Sequence, residues 1–178
     1  FGSPRDTLEA AQTRKIDLVC RKLELWPGER LLDIGCGWGS LLLHAASAFG
    51  AHGVGITLSQ EQARLARERV AEAGLQERIE IRVQDYREVA DGPYDKIASI
   101  GMVEHVGRAN LPEYLARALG LLRPDGLFLN HGIVRPRDTG ADLGSFSERY
   151  VFPDGELLTQ GIVVNALEET GFEVLDDE

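Results

Sequence analysis

The run Asp33-Ile34-Gly35-Cys36-Gly37-Trp38-Gly39-Ser40 places an acid and three alternating glycines between an apolar segment and a helical pattern. Glycines at such a junction permit a tight turn and let a ligand come against the backbone. A dinucleotide fingerprint would read G-x-G-x-x-G, and Ser40 stands where its third glycine would be. A pyrophosphate also prefers a helix amino terminus free of negative charge, whereas Asp33 adds an acid just ahead of the loop. That charge suits a cationic ligand. S-adenosylmethionine, which carries a sulfonium and an ammonium, fits the description. Asp33, Gly35, Cys36, Gly37, Trp38 and Gly39 are therefore candidate cofactor contacts. The plainer alternative is a strand-to-helix turn that needs glycine for its shape alone. Cys36 fills a small position and is no candidate nucleophile. Trp38 either walls the pocket or packs.

Other candidates follow apolar runs in the same way. Thr57 to Ser59 follows the second run. Asp85 follows the third and is placed to accept a hydrogen bond from an adenine amino group, with Tyr86 flanking the ring; the alternative is a turn acid. Gly101 to Glu104 follows the fourth, and His131 the fifth. Glu104 lies in an apolar, glycine-bounded loop, where a partly desolvated carboxylate needs a partner. An imidazole at His131 can donate to an oxyanion or move a proton near neutral pH. Each residue also has a structural reading, as a strand-end polar group satisfied by a loop amide.

The elements that must position these groups are legible from periodicity. Strands are expected at Arg30–Ile34, Val54–Thr57, Ile79–Val83, Lys96–Ile100, Gly126–Asn130 and Phe172–Leu175. Helices are expected from about Thr7 to Leu25, Trp38 to Phe49, Ser59 to Ala73, and Asn110 to about Leu122. Ser59 with Gln62 and Asn110 with Glu113 read as capping pairs. Arg135 to Ser147 is polar and reads as a surface insertion or a plain connector. The alternation predicts an α/β, doubly wound, mostly parallel Rossmann-like sheet. In such sheets ligands bind outside the carboxyl ends of the strands, so five candidate loops converge on one edge.

With 178 residues the chain suits one domain, residues 1–178. Acids outnumber bases 29 to 19 and the net charge is −10, which argues against nucleic acid and against an anionic membrane surface. No apolar run reaches membrane-span length and no leader pattern opens the chain, so a cytoplasmic location is expected. Cys20 and Cys36 make neither a disulfide framework nor a zinc spacing, and no metal site is expected.

Taken together, these motifs resemble the cyclopropane-fatty-acyl-phospholipid synthase family, which includes the mycolic acid cyclopropane synthases. The resemblance rests on Thr7-Leu8-Glu9-Ala10-Ala11-Gln12, the glycine loop, Gly55-Ile56-Thr57-Leu58-Ser59 followed by Gln62, and Gln84-Asp85-Tyr86. It continues through Gly101-Met102-Val103-Glu104-His105-Val106-Gly107, His131-Gly132-Ile133 and Arg149-Tyr150-Val151-Phe152-Pro153 before Gly155. It implies a class I methyltransferase sheet lacking its last strand. S-adenosylmethionine is the implied cofactor, held additionally by Thr57, Leu58, Ser59, Gln62, Gln84, Asp85, Tyr86 and Gly101. Thr57 stands where many methyltransferases place an acid for the ribose hydroxyls, and Gln62 takes over the adenosine end, although it also fits the cap with Ser59.

The resemblance further implies a bicarbonate ion acting as base, held by Glu104, His131 and backbone near Ile133. The implied reaction is methyl transfer to the cis double bond of an acyl chain, then proton loss and ring closure. The implied partner is an unsaturated acyl lipid, with peripheral membrane contact; the oligomeric state is open. The family's Tyr-Ser-Cys-x-Tyr-Phe segment is represented by Phe1 at most, and the family runs on past the position of Glu178. The 178 residues therefore read as the core of a longer enzyme, binding cofactor with little cyclopropanation of its own. Open alternatives are methylation of a small molecule, methyl branching of a lipid, and a non-catalytic cofactor-binding module. Ser40 and Thr57 argue against a dehydrogenase.

Overall fold

The structure is a computed structural model that describes residues 7–135 and 156–178. The elements in chain order are α1 (Leu8–Lys22), β1 (Arg30–Ile34), α2 (Ser40–Phe49), β2 (His52–Thr57), α3 (Gln60–Glu72) and β3 (Ile79–Val83). A short 3-10 turn (Tyr86–Glu88) leads to β4 (Tyr94–Ile100), α4 (Val103–Leu121), β5 (Leu122–His131) and α5 (Gln160–Thr170). The five strands form one sheet in the order β3-β2-β1-β4-β5, and all four pairings are parallel. This is a doubly wound, all-parallel arrangement with a switch point between β1 and β4.

The two sheet faces bury two separate cores. Alternation along β1 sends Leu31 to one face and Leu32 with Ile34 to the other. On the first face Leu31 and Ala98 pack with Val19 and Cys20 of α1, with Leu23 that caps it, and with residues of α2 and α3. On the second, Leu32, Ile34 and Ile97 pack with Tyr114 and Leu115 of α4 and Val163 of α5. Strands buried on both faces read as continuous apolar runs, which is why they are visible in the sequence. Gly55 allows α2 to approach β2: a Cβ there would fall 2.7 Å from Leu42 Cδ1 and 2.9 Å from Cys36 Sγ.

Four expectations need correction. No strand forms at Phe172–Leu175 among the described residues. Instead Gly171 ends α5, and Phe172 packs at 5.4 Å between ring centroids against Phe128 of β5. The tail acids beyond it pair with other elements, Asp176 and Glu178 with Lys22 of α1 and Asp177 with Gln160 of α5. Burial of a single aromatic ring thus anchors a segment whose short alternation imitates a strand. Second, Asn110 does not cap a helix: α4 starts at Val103, and the Asn110 amide donates to Val106 O within it. Third, Glu104 accordingly lies in the first helical turn after β4 rather than in a loop. Fourth, α5 is absent from the elements expected above. Residues 136–155, which contain most of the expected insertion and the Arg149 to Gly155 motif, lie outside the described residues, as do residues 1–6.

Candidate functional site

Strand order reverses between β1 and β4, one connection leading to β2 and the other to β5. The carboxyl ends of β1 and β4 therefore diverge into loops that leave a crevice, the usual ligand position in open α/β sheets. The glycine loop fills one side. Gly39 is the N-cap of α2 in a left-handed conformation, φ 76°, and a Cβ there would sit 3.2 Å from Ala66 Cβ of α3. The amides of Gly35 and Cys36 both donate to Ile56 O, fastening the loop to β2. Gly37 also has positive φ and leaves open space where a side chain would stand. Met102 leans across the crevice from the β4 side, with Sδ 3.6 Å from the position of a Cβ on Gly35.

Asp33 is the acid of this loop. It is 3% exposed. Burial pushes its carboxyl up to about 7 from the ordinary 3.8, with no opposing charge or hydrogen bond among the described residues to hold it down. Its titratable neighbours include the thiols of Cys20 and Cys36, both pushed up by burial and also by its charge. Cys36 turns away from the crevice, toward Gly55 and Leu42. Burial pushes its thiol up to about 12, so only its backbone faces the loop. Trp38 is half exposed, and its carbonyl accepts from Arg69, which also donates to Ser40 Oγ.

On the β2 side, Thr57 Oγ1 donates to Gln62 Oε1 at 2.7 Å and accepts from the Ser59 amide. Ser59 Oγ accepts from the Gln62 amide, so the capping pair forms and orients the Gln62 side chain at the same time. Leu58 is exposed. After β3, the Gln84 amide donates to Thr57 O and its side chain to Glu88 O. Asp85 caps the 3-10 turn and is gripped by Arg87: Oδ1 accepts from the Arg87 amide and Nε, both at 2.9 Å, and Oδ2 from the guanidinium at 2.6 Å. The Arg87 guanidinium holds Asp85 below the usual carboxylate range. Tyr86 and Tyr114 make a T-shaped pair, 5.4 Å between centroids, which ties Tyr86 to the core. Gly101 turns with φ +70° and ties the β4 end to β5 through its amide and His131 O, 2.8 Å.

A second cluster sits beside this crevice. Glu104 is 2% exposed, and its Oε1 accepts from the Ile133 amide at 2.6 Å. Oε2 is buried with no partner among the described residues. Gly132 lies against it: a Cβ there would fall 3.4 Å from Oε2 and 2.2 Å from Val103 Cγ1. His131 ends β5 with an exposed ring. Glu104, His131, Gly132 and Ile133 are thus brought together by the β4–β5 pairing. The Ile133 amide is already spent on Glu104, while its side chain is exposed.

Sequence reasoning missed Arg87 and Arg69, and it included Met102 only as a member of the Gly101 to Glu104 run. Arg87 was legible in principle, because Asp-x-Arg at the start of a turn is an ion pair waiting to form. Arg69 and Met102 carry no local signal; they act across 29 or more residues or across the crevice.

Comparison with known proteins settles the family. A sequence model described as mycolic acid cyclopropane synthetase matches residues 1–178. The chain belongs to that family. It is 46% identical over 183 residues to a probable fatty acid methyltransferase of Pseudomonas putida, covering all of this chain and 46% of that protein. It is 43% identical over 155 residues to the cyclopropane-fatty-acyl-phospholipid synthase of Escherichia coli K12, covering 87% of this chain and 39% of that one. A mycolic acid cyclopropane synthase crystallised with SAH and CTAB superposes with a TM-score of 0.86 at 33% identity, over 96% of this chain and 64% of that chain. The chain therefore spans less than half the length of these two sequence relatives. No helix among the described residues is long and apolar enough to cross a membrane.

Proposed function

We propose that the chain is the S-adenosylmethionine-binding core of a methyltransferase acting on unsaturated fatty-acyl chains, with transfer to a cis double bond and closure of a cyclopropane ring. The observation that carries this reading is the Glu104 cluster beside the switch-point crevice, with one carboxyl oxygen buried and unsatisfied. An alkene is a poor nucleophile, so alignment against a sulfonium methyl must supply much of the rate, and a base must then remove a proton in a water-poor pocket.

Asp33 supplies a carboxyl for the cationic end of the cofactor, and Gly35, Gly37 and Trp38 line its path. Thr57 and Gln62 face the ribose, and Asp85 the adenine amino group. S-adenosylmethionine supplies the electrophilic methyl when bound. Glu104 Oε2 fits a bicarbonate, which can donate one proton to it, and His131 lies alongside; such an ion would supply the base. The cofactor reading is supported by the SAH-bound relative of the same fold.

Four exposed apolar side chains, Trp38, Leu58, Ile133 and Val134, stand on loops at the carboxyl edge. They fit an acyl chain delivered from a lipid surface better than the net charge of −10 would suggest. Methyl branching without ring closure is the second reading, favoured by the identity to the fatty acid methyltransferase of Pseudomonas putida.

The test incubates the chain, and the longest expressible form of the protein that contains it, with S-adenosylmethionine and vesicles of a cis-unsaturated phospholipid. Gain of a CH2 with upfield ring protons and loss of the vinyl signal supports ring closure. A methyl gain without a ring supports branching. An unchanged lipid with cofactor bound overturns the lipid reading and points to a small-molecule acceptor.

A further inference from the structure

Helix α4 is broken at Gly107, whose φ 71° and ψ 164° lie outside the helical range. In a continuous helix the Arg108 amide would donate to Glu104 O, four residues back. The break separates them. Both orphaned groups are taken up by one residue distant in sequence. The Glu156 amide donates to Glu104 O at 2.9 Å, and Glu156 Oε2 accepts from the Arg108 amide at 2.8 Å. Its other carboxyl oxygen lies 3.6 Å from Arg108 Nε. Glycine is needed at 107 for its φ of 71° rather than for space, since a Cβ there would make ordinary contact with Oε2 at 3.7 Å. Just beyond, Leu158 O accepts from the Arg135 amide, and Arg135 bridges to Thr159. The residues that follow Ile133 are thereby tied to those that follow Glu156.

We infer that Glu156 is a positioning residue for Glu104. It replaces the missing helical bond from both sides, so the short Val103–Val106 turn keeps a fixed main chain independently of the helix beyond. Glu104 is then held at two points: its carbonyl by the Glu156 amide and its carboxyl by the Ile133 amide. A break at Gly107 without this clamp would let the turn rotate and carry the carboxyl away from His131. Misplacement of a reacting group by about 1 Å can cost on the order of 100-fold in rate. This inference rests on the role proposed for Glu104, and its test keeps the two apart.

Glu156→Ala and Glu156→Gln are compared with wild type in two measurements. The first is hydrogen exchange of the Ile133 amide, which reads the Glu104 contact without any turnover. The second is kcat, KM and cofactor Kd for methyl transfer in the longest active form. E156A removes the side-chain half of the clamp, the acceptor that fixes residue 156 to the Arg108 amide, and keeps the amide on Glu104 O. It is expected to speed Ile133 exchange and lower kcat about tenfold, with cofactor Kd changed less than about twofold. E156Q retains an acceptor for the Arg108 amide and should fall between the two, within about threefold of wild type in kcat. Wild-type kcat and Ile133 exchange in E156A would overturn the inference. So would a parallel loss of cofactor binding, which marks a merely structural staple. If E156A fails to fold, unchanged Ile133 exchange in E156Q overturns it. Absence of methyl transfer in wild type refutes the role of Glu104 instead, and the exchange measurement still decides the clamp.

Discussion

Replacing Asp33 by Asn should stabilise the cofactor-free protein at pH 8 and weaken cofactor binding in the same variant. The side chain is buried and unpaired among the described residues, and burial raises its pKa from 3.8 to about 7. For an acid whose folded pKa lies above its unfolded value, the folded state binds the proton more tightly. Stability therefore falls as pH rises from about 4 to about 7, and the full penalty is present above 7. The shift of roughly three pH units corresponds to about 4 kcal/mol, an upper figure because a buried site relaxes around a charge. The amide of Asp33→Asn would imitate the neutral acid and carry no such penalty. Urea unfolding of both proteins between pH 4 and 8 tests this, since the difference cancels every other titrating group. The two should converge near pH 4, and the variant should lead by up to about 4 kcal/mol at pH 8. Calorimetric titration with S-adenosylmethionine should show the opposite order, with wild-type affinity rising through pH 7 as the carboxyl ionises against the cation. A pH-independent difference, or a variant less stable at pH 8, would refute the reasoning.

Glu104→Gln should lower kcat by about 100-fold or more while leaving cofactor Kd near wild type, if the role proposed for the group at the reacting end holds; a small kcat effect in steady-state turnover would count against it. Gly39→Ala should cost about 1–3 kcal/mol in denaturant unfolding, since a side chain must adopt φ near 76° and meet Ala66 Cβ at 3.2 Å. Cys20 and Cys36 are buried, with thiols pushed up to about 12, so an aromatic disulfide reagent at pH 8 should label neither before unfolding; labelling of the native protein within minutes would contradict their placement.

The sequence by itself determined the sheet and the crevice. Strands buried on both faces had to be apolar throughout, and helix caps such as Ser59 and stops such as Gly50 are local chemistry that a short window carries. Asp33 and the glycine loop were legible because one segment holds the acid, the turn and the helix start. The tail segment reads wrongly as a strand because Phe172-Glu173-Val174-Leu175 alternates like one, while its real constraint is contact with Phe128, distant in sequence.

The resemblance groups Glu104 with His131 and Ile133, but tertiary structure alone decided the contacts that hold Glu104. Its carboxyl meets the Ile133 amide only because β4 and β5 pair in one register, Ile100 opposite His131. Its main chain is held by Glu156, far along the chain, through hydrogen bonds that replace a broken helical turn. Local sequence shows Gly107 but reads it as part of a loop, with the helix starting only at Asn110. It cannot show which distant residue satisfies the groups set free, because any chain segment with a donor and an acceptor could do so and only the fold brings one there.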